Sequence, residues 1–188
     1  MNQADIIKQL SDRELKKQLL FSQLIFFLLA IGLSLFLFDS FSRWFTLFQW
    51  DVNEILVYGA LPALGLVLLE LVFYGILPAH FFDDGGINER IFKNQPVSWI
   101  LFISFIVAVT EEALFRGVIQ TSFGFIFASS IFALIHVRYL KKPILFLFII
   151  LTSFGIGYLY YRTGNILVTM CFHFIVDALL GLVIRFKK

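Results

Sequence analysis

Residues 97–119 read VSWILFISFIVAVTEEALFRGVI, an apolar run interrupted by the ionisable residues Glu111, Glu112 and, one helical turn later, Arg116. Apart from these charges, the stretch has the length and composition of a membrane-spanning helix. Ionisable side chains at bilayer depth cost roughly 2.5–3.5 kcal/mol each on insertion scales and are usually retained for function. The stretch therefore predicts a membrane helix with a functional site inside it.

The composition of the whole chain indicates an integral membrane protein. Of its 188 residues, 60% are hydrophobic and 15% are charged, whereas soluble domains are about half apolar and about a quarter charged. The lipid bilayer is therefore an expected partner. The net charge of +2 is too small to indicate a nucleic-acid partner. The single cysteine, Cys171, excludes an internal disulfide and a thiolate metal cluster.

The apolar segments predict an all-α fold, a polytopic membrane helix bundle with about six transmembrane helices. A helix needs about 20 apolar residues to cross the hydrocarbon core. The third segment qualifies despite its charges, and the fourth, which is short, is expected to extend through Tyr139. The six predicted spans are residues 20–38, 55–77, 97–120, 123–137, 144–161 and 166–184.

Basic residues flank these spans unevenly. With the N-terminus in the cytoplasm, twelve Lys and Arg residues fall on the inner side and two, Arg43 and Arg162, on the outer side. This bias follows the positive-inside rule and predicts that both termini are cytoplasmic. The inner set is Lys8, Arg13, Lys16, Lys17, Arg90, Lys93, Arg138, Lys141, Lys142, Arg185, Lys187 and Lys188.

A polar connection at residues 83–96 divides the predicted bundle. Residues 1–19 are expected to form a cytoplasmic N-terminal segment. Residues 20–96 would form two N-terminal transmembrane helices with their loops, and residues 97–188 a four-helix core. His80, Asp83 and Asp84 are expected on a solvated surface at the connection.

Pairs of polar residues recur at helical spacing in the last four spans. His173 and Asp177 are four residues apart and so share one helix face. Glu112 precedes Arg116 by the same spacing, in the order that favours an ion pair. Glu111 is rotated by about 100° from Glu112 around the helix axis. One carboxylate is therefore expected to be neutralised along the helix while the other faces the bundle interior.

Depth estimates place four ionisable residues in one layer of the membrane. With a rise of about 1.5 Å per residue, Glu111 and His173 lie roughly 14 Å from the outer ends of their helices, and His136 and Asp177 roughly 20 Å. These depths fall near the middle of a hydrocarbon core about 30 Å thick. The four residues are therefore expected to share an intramembrane site.

Two chemistries are open to such a site. A glutamate with two histidines and a further carboxylate can activate water, polarise a carbonyl and transfer a proton to a leaving amine. Alternatively, Glu111, His136 and His173 could ligate a metal as a zinc-like set. The cofactor is thus a divalent metal such as zinc, or none. The absence of His-Glu-x-x-His from the sequence argues against a zincin-type metalloprotease.

Three motifs lie on the third, fourth and sixth predicted spans: Glu111-Glu112-x-x-x-Arg116, Phe132-x-x-x-His136 and His173-x-x-x-Asp177. Their order, spacing and membrane setting resemble the CAAX-protease and bacteriocin-processing (Abi) family of intramembrane proteases. The resemblance covers roughly residues 97–188. It implies that Glu111 is the catalytic base that activates water, with His136 as its partner, and that Phe132 helps to shape the site.

The same resemblance assigns the remaining motif residues. Glu112 and Arg116 would complete the first motif as a supporting ion pair, and His173 and Asp177 would stabilise the oxyanion. Prenyl-protein proteases of the family have Asn at the position of Asp177, while bacterial members often have Asp. An ionised Asp cannot donate to an oxyanion, so Asp177 must either be protonated or orient His173.

The implied activity is that of an intramembrane endopeptidase in the bacterial cell membrane, acting on a membrane-associated peptide or protein tail. CAAX-type processing and bacteriocin maturation or immunity are both open. A proton- or ion-relay protein is an alternative, since intramembrane Glu, His and Asp also form relays. Only Glu70 favours the relay alternative. If the protein is not a relay, Glu70 is expected to be a neutral interhelical hydrogen-bond donor or a partner of the site. A non-catalytic scaffold derived from a protease is a third reading.

Overall fold

The computed structural model describes residues 9–140 and 142–187. Within those ranges the chain is helical and contains no strand. Lys8, Lys141 and Lys188, three of the basic residues predicted on the inner side, lie outside the described residues. The described helices are α1 (Asp12–Leu37), α2 (Arg43–Leu47), α3 (Val52–Ile76), α4 (Ile87–Phe92), α5 (Val97–Phe123), α6 (Phe125–Ile135), α7 (Pro143–Thr163) and α8 (Ile166–Phe186).

The all-helical, polytopic fold is confirmed. Among the described residues, five helices are long and apolar enough to cross a membrane: α1, α3, α5, α7 and α8. The fourth predicted span differs, because α6 has 11 residues and is therefore about 16 Å long, about half the thickness of a hydrocarbon core. A single 3₁₀ turn, Val137–Tyr139, follows α6 in place of the expected continuation. The cytoplasmic placement of both termini stays a prediction.

Helix α1 begins earlier than the first predicted span. Ser11 caps the helix, since its hydroxyl accepts from the backbone N–H of Glu14 while the Glu14 carboxylate accepts from the N–H of Ser11. This reciprocal pair is a capping box, a local signal that fixes a helix start independently of hydrophobicity. The mixed-charge residues before the apolar run therefore form the first turns of α1.

The polar connection contains a helix that packs into the bundle. Asp84 initiates α4, since its carboxylate accepts from the backbone N–H groups of Ile87 and Asn88. Ile87 and Ile91 are buried against Leu15 of α1. The expectation of a solvated Asp84 is wrong, because this capping role leaves its side chain only 7% exposed. Asp83 and His80 are exposed as expected.

Helices α5 and α8 form the centre of the bundle and pack against each other. Half of the most apolar window of each is buried within the protein, against 17% for α1 and α3. Helix α1 packs along α5, and α3 packs along α8. The short α6 packs against α7 through Ser129 and Ser153, each of which donates its hydroxyl to the backbone carbonyl of the other. Small polar residues permit such close approach of membrane helices.

Candidate active site

A cavity of about 390 Å³, the site cavity, lies between α5, α8 and the end of α6. All four ionisable residues that were expected to converge line it, together with one aromatic motif residue: Glu111, Phe132, His136, His173 and Asp177. Helices that are apart in sequence thus bring the three motifs to one place. The convergence predicted from helix depth is observed in the structure.

The backbone of α5 changes geometry next to the glutamate pair. Residues Val97–Glu112 form regular α-helix, and Ala113–Gln120 continue as π-helix. Such wider turns within α-helices are frequent at functional sites. Glu111 lines the site cavity, whereas the side chain of Glu112 is fully buried. The two adjacent carboxylates therefore lie in different environments, as their helical offset predicted.

Glu112 joins two elements of the site. Its Oε2 lies 3.4 Å from Arg116 Nε, in the i,i+4 ion pair expected from the sequence. Its Oε1 accepts from His173 Nδ1 at 2.8 Å, a contact that sequence reasoning did not predict. Because Glu112 and Arg116 are both 0% exposed, each ion depends on the other for compensation of its lost hydration.

Arg116 is surrounded on several sides. Its Nη2 donates to the backbone carbonyl of Ser153 at 2.9 Å, and its guanidinium lies 4.6 Å from the centre of the Phe132 ring. The same ring lies 4.9 Å from the His136 ring and 6.0 Å from the His173 ring, between ring centres. The Phe132 ring therefore lies beside the Arg116 guanidinium and close to both histidine rings.

His136 ends helix α6 and lies at the cavity wall. Its Nδ1 lies 2.8 Å from the backbone carbonyl oxygen of Phe132. A carbonyl oxygen can only accept, so Nδ1 carries the proton of this hydrogen bond. The neutral ring then has its lone pair on Nε2, and this nitrogen is available as a base or an acceptor.

His173 contacts carboxylates on both sides of its ring. Besides the bond to Glu112, its Nε2 lies 3.5 Å from Asp177 Oδ2, one helical turn further along α8. The Asp177 side chain is 34% exposed, whereas that of His173 is 6% exposed. Asp177 thus lies within reach of the His173 ring, and its role in orienting that ring stays a prediction.

Sequence reasoning missed Gln23 of α1. Gln23 is 3% exposed, lines the site cavity and donates from Nε2 to Glu111 Oε1 at 3.2 Å. The hydroxyl of Thr110 lies 2.5 Å from Gln23 Oε1 and donates to it, which fixes the amide with its N–H₂ toward Glu111. A lone glutamine inside an apolar span was the signal for this residue, because such a side chain needs a buried partner.

A polar cluster after α6 holds the turn that carries His136. The Asn88 side-chain amide of α4 donates to the Tyr139 hydroxyl at 3.3 Å. Arg138 donates to the Asn88 side-chain oxygen at 3.0 Å and also to the Tyr139 hydroxyl. Burial raises the pKa of Tyr139, against the opposing effect of the Arg138 charge, so the hydroxyl stays neutral and can accept these bonds.

Glu111, His136 and His173, the three residues that could ligate a metal, are not arranged around a common metal position. Within residues 9–140 and 142–187, no group of three or more His, Cys, Asp and Glu side chains is arranged to hold a metal ion. The Nε2 atom of His173 faces Asp177 at 3.5 Å. The chemistry below is therefore derived from the side chains.

Comparison with known proteins confirms the family resemblance. A family profile described as type II CAAX prenyl endopeptidase Rce1-like matches residues 93–179, a range that contains all three motifs. The uncharacterized protein YpbD of Bacillus subtilis (strain 168), a relative in the same family, is 39% identical over 168 residues, or 88% of each chain. No solved structure gives a significant match. The chain therefore belongs to the Rce1-like family of type II CAAX prenyl endopeptidases, the CAAX and bacteriocin-processing membrane proteases that its motifs resemble.

Proposed function

We propose that the protein is an intramembrane endopeptidase that hydrolyses a peptide bond in a membrane-associated peptide or protein tail. The observation that carries this proposal is the single cavity lined by Glu111, His136, His173 and Asp177. In the proposed orientation both termini are cytoplasmic, and the Bacillus relative supports placement in a bacterial cell membrane. CAAX-type tails and bacteriocin precursors are the two substrate classes to test.

In the proposed reaction, Glu111 is the general base and His136 its partner. The Glu111 carboxylate takes a proton from a water molecule, whose oxygen attacks the scissile carbonyl carbon. The lone pair on His136 Nε2 accepts the second hydrogen of that water and orients it. When the C–N bond breaks, Glu111 returns its proton to the leaving amine, so the carboxylate is regenerated and one water is consumed for each bond cut.

His173 is the proposed oxyanion donor. A ring protonated on both nitrogens donates to Glu112 from Nδ1 and presents the N–H of Nε2 between Asp177 and the cavity. A donor fixed before the reaction stabilises the developing negative charge without reorganisation. In this scheme Asp177 acts as an acceptor that aligns the ring, and Arg116 keeps Glu112 ionised for the same purpose.

The test is cleavage of a panel of membrane-tail peptides by the purified full chain in detergent. We expect Glu111→Gln and His136→Ala to lower kcat by about 10²–10⁴-fold, the usual contribution of general acid–base catalysis. Glu89→Gln is the matched control, because Glu89 is exposed and pairs with Lys93. Mass spectrometry of the products identifies the bond cut.

The outcomes of this assay distinguish the proposed protease from the alternatives. Equal cleavage by the wild type and both site variants would refute the catalytic assignment. Proton flux into liposomes, without cleavage of any peptide, would favour the relay alternative. The same assay is repeated after incubation with a chelator for long enough that a tightly held ion can leave. Loss of cleavage indicates metal-assisted hydrolysis, and unchanged cleavage indicates hydrolysis by the side chains.

A further inference from the structure

A second cavity of about 290 Å³, the side cavity, adjoins the site cavity. Its walls come partly from α3 and α8 and partly from the connection at residues 79–89, outside the spans. Five residues line both cavities and form the wall that they share: Glu70, Asn88, Leu145, Leu180 and Ile184. A polypeptide that reaches the site cavity from the polar edge of the bundle would therefore pass Glu70.

Glu70 is a half-buried carboxylate within α3. Among residues 9–140 and 142–187 it has no hydrogen bond or ion pair. The Asp177 carboxylate lines the same site cavity. An ionisable residue inside a membrane span usually indicates a functional site, and it normally pairs with another charged or polar group. Glu70 lacks that partner within the described parts of the chain.

The other charged groups along the side cavity have polar partners. Asp84, for example, caps α4 besides facing Arg138. This leaves Glu70 as the acidic side chain of this wall that a ligand could neutralise. The remaining pairs are Asp83 with Lys142 at 4.0 Å, Asp84 with Arg138 at 3.8 Å, Glu89 with Lys93 at 2.9 Å, and Lys187 with the Tyr74 hydroxyl.

We propose that Glu70 binds the Lys or Arg side chain of a substrate residue close to the scissile bond, and thereby selects basic polypeptide segments. The inference rests on the proposed function and specifies its substrate class. Carboxylates that face one cavity with low-dielectric walls, as Glu70, Glu111 and Asp177 do, concentrate a negative potential that attracts a cation. Asp177 is already engaged by His173, so the incoming cation pairs with Glu70.

The walls around Glu70 fit such a side chain along its whole length. Leu145, Leu180 and Ile184 border both cavities beside the carboxylate. Lys and Arg pack their aliphatic stems on apolar surface while the charged end reaches a polar group. A neutral apolar substrate residue would pack against the same side chains but would leave the Glu70 carboxylate without a partner.

The experiment measures kcat/KM of the purified full chain on three matched peptides. They carry Lys, norleucine or Glu at one position near the bond that the wild type cuts, and this position is scanned outward from the bond. At one position we expect the wild type to cut the Lys peptide about tenfold faster than the norleucine peptide, mainly through KM. Glu70→Gln should reduce that ratio to about one, and Glu70→Lys should invert the preference toward the Glu peptide.

Glu89→Gln is the matched control, because it removes a carboxylate of the same wall that is already paired with Lys93; the Lys preference should persist. Cleavage of the norleucine peptide by Glu70→Gln shows that this variant is folded. The proposal is overturned if the wild type cuts the Lys and norleucine peptides equally at every position, or if Glu70→Gln keeps the preference. Failure of the wild type to cut any peptide overturns the proposed function itself, and this inference with it.

Discussion

Gln23 donates a hydrogen bond to Glu111 at 3.2 Å although 88 residues separate them in the chain. The amide cannot turn around freely, because Thr110 donates to its oxygen. Helix α1 thus holds one oxygen of the proposed catalytic carboxylate in place and leaves the other for water. A helix that carries none of the family motifs therefore contributes directly to the geometry of the site.

Replacing Gln23 should impair catalysis more than substrate binding. We expect Gln23→Leu to lower kcat by about 10–150-fold with little change in KM, since a hydrogen bond to a charged group contributes about 1.5–3 kcal/mol and about 1.4 kcal/mol is tenfold in rate. The measurement is steady-state cleavage of the best peptide from the panel. Ser34→Ala is the control on the same helix, because it removes a buried hydrogen bond to Trp44 outside the site cavity. Equal losses in both variants would mean that Gln23 acts only through the stability of α1.

The buried ion pair should show strong energetic coupling. Removing either Glu112 or Arg116 leaves an uncompensated charge, so Glu112→Gln and Arg116→Met are each expected to lower the free energy of unfolding by about 3–5 kcal/mol. The double variant should lose less than the sum of the single variants by more than about 1 kcal/mol. Denaturant titrations in detergent give these values. Additive losses would contradict the coupling.

The close packing of α6 on α7 should depend on Gly157. A Cβ at this position would clash with Ser129 Oγ and lie 2.9 Å from the Phe125 ring. We expect Gly157→Ala to destabilise the protein by about 1–3 kcal/mol through overpacking and to reduce activity, since α6 carries Phe132 and leads to His136. Gly155→Ala is the matched control on α7, because nothing lies within 4 Å of its added Cβ. The comparison is made by thermal unfolding; a Gly155→Ala loss as large as that of Gly157→Ala would refute this account.

The turn after α6 should hold His136 through Tyr139. Tyr139→Phe removes the hydroxyl that receives bonds from Asn88 and Arg138. We expect kcat to fall about fivefold, which corresponds to the net value of about 1 kcal/mol for one hydrogen bond. Tyr158→Phe on α7 makes the same chemical change at a side chain that is 52% exposed and should have no effect. An unchanged kcat in Tyr139→Phe would show that the Tyr139 hydroxyl does not position His136 for the reaction.

Much of the fold could be predicted because its signals are local. Apolar runs of about 20 residues locate membrane helices without knowledge of their neighbours, and five of them are observed. The exception is α6, whose apolar run continues past the end of the helix at Ile135. Hydrophobicity does not register the change to a 3₁₀ turn, which is set by packing and by the bond between His136 and the Phe132 carbonyl.

The candidate site was predictable to the extent that its residues share a helix. The Glu112–Arg116 pair follows from i,i+4 spacing, and the contact of His173 with Asp177 follows from the same rule. By contrast, the bond between His173 and Glu112 joins residues 61 positions apart. Spacing along one helix carries no information about which of two neighbouring glutamates faces a histidine on another.

The sequence by itself determined that this is a helical membrane protein with its ionisable residues on three motif-bearing segments, because composition and periodicity are properties of each segment alone. Only the tertiary structure decided that Gln23 bonds Glu111, that Glu112 links Arg116 to His173, and that Glu70 stands between two cavities. The physical reason is that these relationships depend on how α1, α3, α5 and α8 pack. Helix packing places polar groups beside one another across the bundle, where their burial makes each contact matter energetically.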